Sequence, residues 1–126
     1  MRRTFALFVT VVAIMLLAIS CGDDNRLLSI QVLPLDPAVL SNNTVYVAPG
    51  GTVQYQAIGW YSNRTSQTLD AAQVKWTSSN TSIAGIDGQG FATSAGPVGV
   101  TTITAEFKGH TSTSALSVCD FGLCPP

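Results

Sequence analysis

Val74-Lys75-Trp76-Thr77-Ser78-Ser79-Asn80 reads as a short strand with a tryptophan at its centre that runs into a hydroxyl-rich turn. By the two-residue period of a strand, Val74 and Trp76 share one face. A ring of that size turned toward a core buries more area than any other single side chain. The chain beyond its leader is expected to pack on or around Trp76.

Working outward, the clearest alternation lies just upstream. Val53, Tyr55, Ala57, Gly59 and Tyr61 share one face, and Gln54, Gln56, Ile58 and Trp60 share the other. Pro49-Gly50-Gly51 is a turn signal before that strand, and Thr44-Val45-Tyr46-Val47 is a shorter strand ahead of it. Further back, Leu28, Ile30 and Val32 alternate with Ser29, Gln31 and Leu33 until Pro34 and Pro37 remove ladder donors. Ser62 to Ala72 has no period and reads as a loop.

Downstream, Ile83 and Ile86 flank a small-residue step, and Asp87-Gly88 with Gly90 makes a tight turn before Phe91-Ala92-Thr93. Ile103, Ala105 and Phe107 then alternate with Thr102, Thr104 and Glu106, and Leu116 and Val118 face inward near the end. With no helical period after the leader, this is an all-β chain. Its strand spacing and strand-borne tryptophan predict an immunoglobulin-like antiparallel β-sandwich of about seven strands over residues 27–118.

The pattern resembles the bacterial Ig-like domain of group 2, a module of intimin- and invasin-type surface proteins and of many envelope lipoproteins. The residues that carry the resemblance are Leu28-Ser29-Ile30 with Val32 and Pro34, Gly50-Gly51-Thr52-Val53-Gln54-Tyr55 with Ala57, Gly59 and Tyr61, and the Trp76 stretch itself. They continue through Ser82-Ile83-Ala84, Gly88 with Gly90, Ala92-Thr93, Gly96, and Thr102-Ile103-Thr104-Ala105 followed by Gly109. What the resemblance implies is a structural, spacer or adhesive module with no shared active site.

The chain has 126 residues, enough for one ordinary domain and a leader. Met1-Arg2-Arg3 is a positive start, and Phe5 to Ile19 is an apolar run interrupted by Thr10, the build of a secretory signal over residues 1–20. Leu17-Ala18-Ile19-Ser20-Cys21-Gly22 resembles the lipobox of bacterial lipoproteins. That resemblance implies cleavage before Cys21, acylation of its thiol, and a membrane partner reached through the lipid. The alternatives are a plain cleavable signal or an uncleaved helix, though the run of about 15 apolar positions is short of the roughly 20 that span a bilayer. Residues 21–26 then read as lipidated cysteine and tether. Gly22, by resemblance to the lipoprotein sorting rule, permits the outer membrane, so the address expected is the cell envelope or surface.

Charged residues make up only 10% of the chain, while Ser and Thr together number 26, so the solvated faces are largely hydroxyl and amide. Past the leader, four basic residues face seven acidic ones. No Lys/Arg stripe exists to displace counterions from phosphates, which argues against nucleic acid. An envelope protein or polysaccharide is the class of partner left open.

Cys119 and Cys124 lie in the tail, residues 119–126, and in an exported chain they are expected to form a disulfide. His110 is the sole histidine, so no closed Cys/His metal site is expected, and no cofactor is implied. No nucleophile–base pair or phosphate loop is visible, so an enzyme is not expected. Trp60 is the candidate ligand contact. Parity places it opposite the buried face of its strand, where it either packs on the neighbouring loop or stands exposed to stack on a sugar ring or anchor a protein.

Overall fold

The computed structural model describes residues 25–35, 40–41, 44–120 and 124; the leader, Cys21 and most of the tether lie outside them. The strands in order are β1 (Leu27–Pro34), β2 (Leu40–Ser41), β3 (Thr44–Val47), β4 (Thr52–Tyr61), β5 (Ser66–Thr68), β6 (Lys75–Ser78), β7 (Ala84–Ile86), β8 (Phe91–Ser94), β9 (Gly99–Phe107) and β10 (His110–Val118). A 3₁₀ turn, Ala71–Gln73, precedes β6. No helix among the described residues is long and apolar enough to cross a membrane.

Two sheets face each other in an immunoglobulin-like sandwich. The first runs β1-β4-β8-β7, with β5 also on β4, and the second runs β2-β3-β10-β9-β6. β4 is the spine of the first sheet. Along one edge it pairs with β1, from Leu27↔Tyr61 to Pro34↔Tyr55. Its other edge is divided, the first half taken by β8 (Thr52↔Thr93 to Gln54↔Phe91) and the second by β5 (Ile58↔Thr68 to Trp60↔Ser66). In the second sheet the pairing of β3 with β10 is parallel, from Ala115↔Thr44 to Val118↔Val47, while the neighbouring pairs are antiparallel.

Three expectations need correction. The segment 62–72 is not a plain loop, because it contains β5 and the start of the 3₁₀ turn. Ser66, Gln67 and Thr68 are all exposed, so backbone bonds to β4 hold this strand and no apolar alternation advertises it. Leu28 is not in the core. The register slips between Leu27 and Ser29, and this extra residue turns Leu28 outward at 51% exposure while Leu27 is buried.

The third concerns Trp76. Its strand, β6, is the edge of the second sheet, and the deepest side chains are Tyr55, Ile103, Leu116, Val45 and Val118. Trp76 instead closes the flank of the core at 8% exposure, and its Nε1 donates to the Ala71 carbonyl at 3.1 Å. Beneath the ring is Gly90 at φ 77°, where a Cβ would stand 2.9 Å from Trp76 Cζ2 and 2.9 Å from the Tyr55 carbonyl oxygen. That carbon has no room, and the left-handed φ disfavours a side chain independently.

Tyr55 carries a cost of its own. At 1% exposure its hydroxyl has no hydrogen-bond partner of acceptable geometry. Burial pushes the phenol up to about 12, with the nearby Ser114 hydroxyl pulling the other way in part.

Gly90→Ala is expected to destabilise the domain by about 2–4 kcal/mol, combining backbone strain with overpacking, as a lower urea midpoint at unchanged slope. The Tyr55 phenol makes a second prediction. Its pKa rises on folding from the ordinary tyrosine value of 10.0 to about 12, so above pH 10 the unfolded state loses its proton first. Stability contributed by the neutral phenol is therefore full below pH 10 and is lost as pH rises toward about 12. Tyr55→Phe, compared by denaturant titration across that window, should show a shallower fall and no loss of stability at neutral pH.

Candidate functional site

Strand parity and pairing together assemble one continuous outer face on the first sheet. Val53, Tyr55, Ala57 and Gly59 point into the core, so Gln54, Gln56, Ile58 and Trp60 point out. Trp60 is 44% exposed. Its direct neighbours are small hydroxyls, Ser29 on β1 and Ser66 on β5. The next rung is Ile58 between Gln31 and Thr68. At the far end Gln54 lies beside Phe91, itself 38% exposed. Trp60 thus stands on the outer face, paired with two serines and next to the outward-turned Leu28 at the β1 bulge.

None of the residues in β1, β4, β5, β7 or β8 is charged. The charged strand residues Lys75 and Glu106, with His110, all belong to the second sheet. The amide of Gln54 is fixed, with Nε2 donating to the Gln89 carbonyl at 2.8 Å and to the Tyr55 carbonyl at 3.0 Å. The turn that delivers Phe91 is fixed as well. Asp87 Oδ1 accepts from the backbone N–H of Gln89 at 2.8 Å and of Phe91 at 3.0 Å.

A second concavity lies at the end of the sandwich where the tether enters. It has a volume of about 420 Å³ and is lined by Asn25, Arg26, Leu27, Tyr61, Lys108 and His110. Nothing local in the sequence signals it, because strand ends far apart in the chain meet there. Among the described residues, no group of three or more His, Cys, Asp or Glu is placed to hold a metal.

Cys119 and Cys124 are joined by a disulfide with Cα atoms 5.5 Å apart. Cys119 is buried and its N–H donates to the Val47 carbonyl at 3.1 Å, so the bridge ties the tail to β3. Cys21 lies outside the described residues.

The hydroxyls after Trp76 resemble a constellation on paper, and the fold has used them. Ser78 Oγ donates to the Ala84 carbonyl at 2.7 Å and meets Thr101 Oγ1 at 2.8 Å. Thr101 Oγ1 also accepts from Asn80 N–H at 2.9 Å, and Ser79 Oγ accepts from Thr102 N–H at 2.9 Å. Buried Thr101 is thus the hub that locks the end of β6 to β9 and, through Ser78, to β7.

The family described as bacterial Ig-like domain (group 2) matches residues 35–116. Ice-binding protein 1 of Shewanella frigidimarina (strain NCIMB 400) is 34% identical over 100 residues, which are 79% of this chain and 10% of that protein. The chain therefore spans about a tenth of the length of that relative.

Thr101→Val removes the shared acceptor while keeping shape, stranding the Asn80 N–H; a loss of about 1–3 kcal/mol is expected in denaturant unfolding, with Thr101→Ser retaining most of the stability.

Proposed function

The chain belongs to the bacterial Ig-like domain (group 2) family, and on that footing we propose that it is a cell-envelope lipoprotein whose sandwich serves as a structural or adhesive module. The observation that carries this reading is the leader. An apolar run ends in Leu17-Ala18-Ile19-Ser20-Cys21-Gly22, and the first strand begins at Leu27. Once acylated with two or three chains, Cys21 would hold the domain stably, where one chain alone binds reversibly. The tether from Cys21 to Arg26 reaches about 18 Å at full extension, so the domain would sit close against the bilayer.

Two further features support export. The Cys119–Cys124 bridge suits an oxidising compartment, and the hydroxyl- and amide-rich surface needs no partner of opposite charge. The Shewanella relative is named for binding ice, but the stretch shared with it is 10% of its length. Only the module is carried over. The adhesive half of the reading has a surface to act through in the outer face that holds Trp60, whose strands carry no charge.

The anchor is tested by detergent-phase partition of the full-length protein beside Cys21→Ser in the native host, with protease added to whole cells. Wild type is expected in the detergent phase and the variant in the aqueous phase, with cleavage on intact cells marking surface display. Two equally soluble proteins would overturn the anchor.

A further inference from the structure

We propose that the outer face of the first sheet is a binding platform for a linear, uncharged polysaccharide, seated along β4 between Trp60 and Phe91. This deepens the adhesive reading above and rests on it. Three observations carry the ligand class.

The first is charge. The five strands of this sheet contain no charged residue, in a domain whose other sheet places Lys75 and Glu106 on its strands. The nearest charges stand on the connecting turns, Asp87 beside Phe91 and Arg64 between β4 and β5, so the strands themselves offer nothing to an ionic partner and leave no ion unpaired beneath a neutral one.

The second is the kind of group present. Sugars show an apolar C–H face and a rim of hydroxyls. Trp60 and Phe91 supply faces for stacking, while Gln31, Gln54, Gln56 and Thr68 supply the amide and hydroxyl groups that bond a hydroxyl rim. Gln54 is already oriented, since its two Nε2 bonds leave Oε1 as the remaining acceptor of the amide. An oriented group loses little entropy when a ligand arrives.

The third is geometry. Gln54 and Trp60 are six residues apart on one strand and Phe91 is the register partner of Gln54, so the two rings lie about 20 Å apart along the strand direction. Between them the row holds Gln56 and Ile58, both half-buried. Trp60 pairs with Ser29 and Ser66, and Leu28, turned outward by the bulge beside this rung, adds a second apolar side chain at that end of the face. An extended chain of several pyranose rings fits that spacing; a single monosaccharide would touch only one end. Length dependence is therefore part of the proposal.

The test is calorimetric titration of the full-length protein, purified in detergent, with cellohexaose, chitohexaose and mannohexaose, the matching disaccharides, and hexagalacturonate as the anionic comparator. At least one neutral hexasaccharide is expected to bind. Trp60→Ala should weaken that binding tenfold or more, and Trp60→Tyr should restore most of it. Phe91→Ala should weaken the hexasaccharide and leave the disaccharide unchanged. Urea unfolding of each variant, with the midpoint of Trp60→Ala expected to stay close to that of wild type, separates lost binding from lost folding.

No binding of any neutral hexasaccharide at millimolar concentration would overturn the proposal, as would tighter binding of hexagalacturonate. Self-association that Trp60→Ala abolishes, without sugar binding, would assign the face to a second copy of the chain instead. Sugar binding by the purified protein does not depend on where the cell puts it. A domain that binds sugar but partitions as soluble fails only the anchor, and an anchored domain that binds none fails only this proposal.

Discussion

The sandwich depends on one close approach, the Trp76 ring lying on the backbone of Gly90. Trp76 belongs to the second sheet and Gly90 to the β7–β8 turn of the first. The Gly90 carbonyl accepts from Tyr55 N–H at 2.8 Å, and Tyr55 is the largest of the fully buried side chains. One glycine therefore fixes how near the edge strand β6 comes to the first sheet, and with it the position of β4 in the opposite layer. The Thr101 hydroxyl network performs the same task one turn further along. The apolar middle fills the space between, but these two fastenings set the sheets' relative placement, because polar bonds and a backbone contact have direction and aliphatic packing does not.

That division explains which elements are legible in the sequence. The alternation in β4, β9 and β10 can be read because each has one buried and one solvated face. The outward placement of Trp60 follows from the same parity. β5 carries no signal, having no buried face, and β2 is two residues long. Leu28 misleads because a bulge inserts one residue without disturbing the run of apolar letters around it. The parallel pairing of β3 with β10 is a property of where the chain crosses between layers, and local pattern does not encode it.

Local pattern marks Trp76 rightly as buried and wrongly as central. Its ring and the two-residue period are local facts, whereas being an edge strand is a fact about the order of five strands. The candidate face divides in the same way. Trp60 stands out from its own strand, but Phe91 does not, because its membership depends on the register Gln54↔Phe91 across a long interval of chain. The groove near the tether is less legible still, since Arg26, Tyr61 and Lys108 become neighbours only when three strand ends meet.

A sheet face without charges is a liability for a soluble domain, because charged side chains are a usual means of keeping sheets from associating. Here glutamine in β1 and β4 and serine or threonine in β5 and β8 take the place of charges, and they share the face with Leu28, Leu33 and Ile58. Such a surface exerts little long-range force, so contacts with it depend on short-range fit. Two exposed rings at the ends of this ladder add apolar area on a face where polar groups would suffice for solubility. Solubility favours their absence, and core packing does not require them, since both rings point away from the core. The tension is resolved if the face exists to meet something as uncharged as itself, with the rings as the groups that hold it.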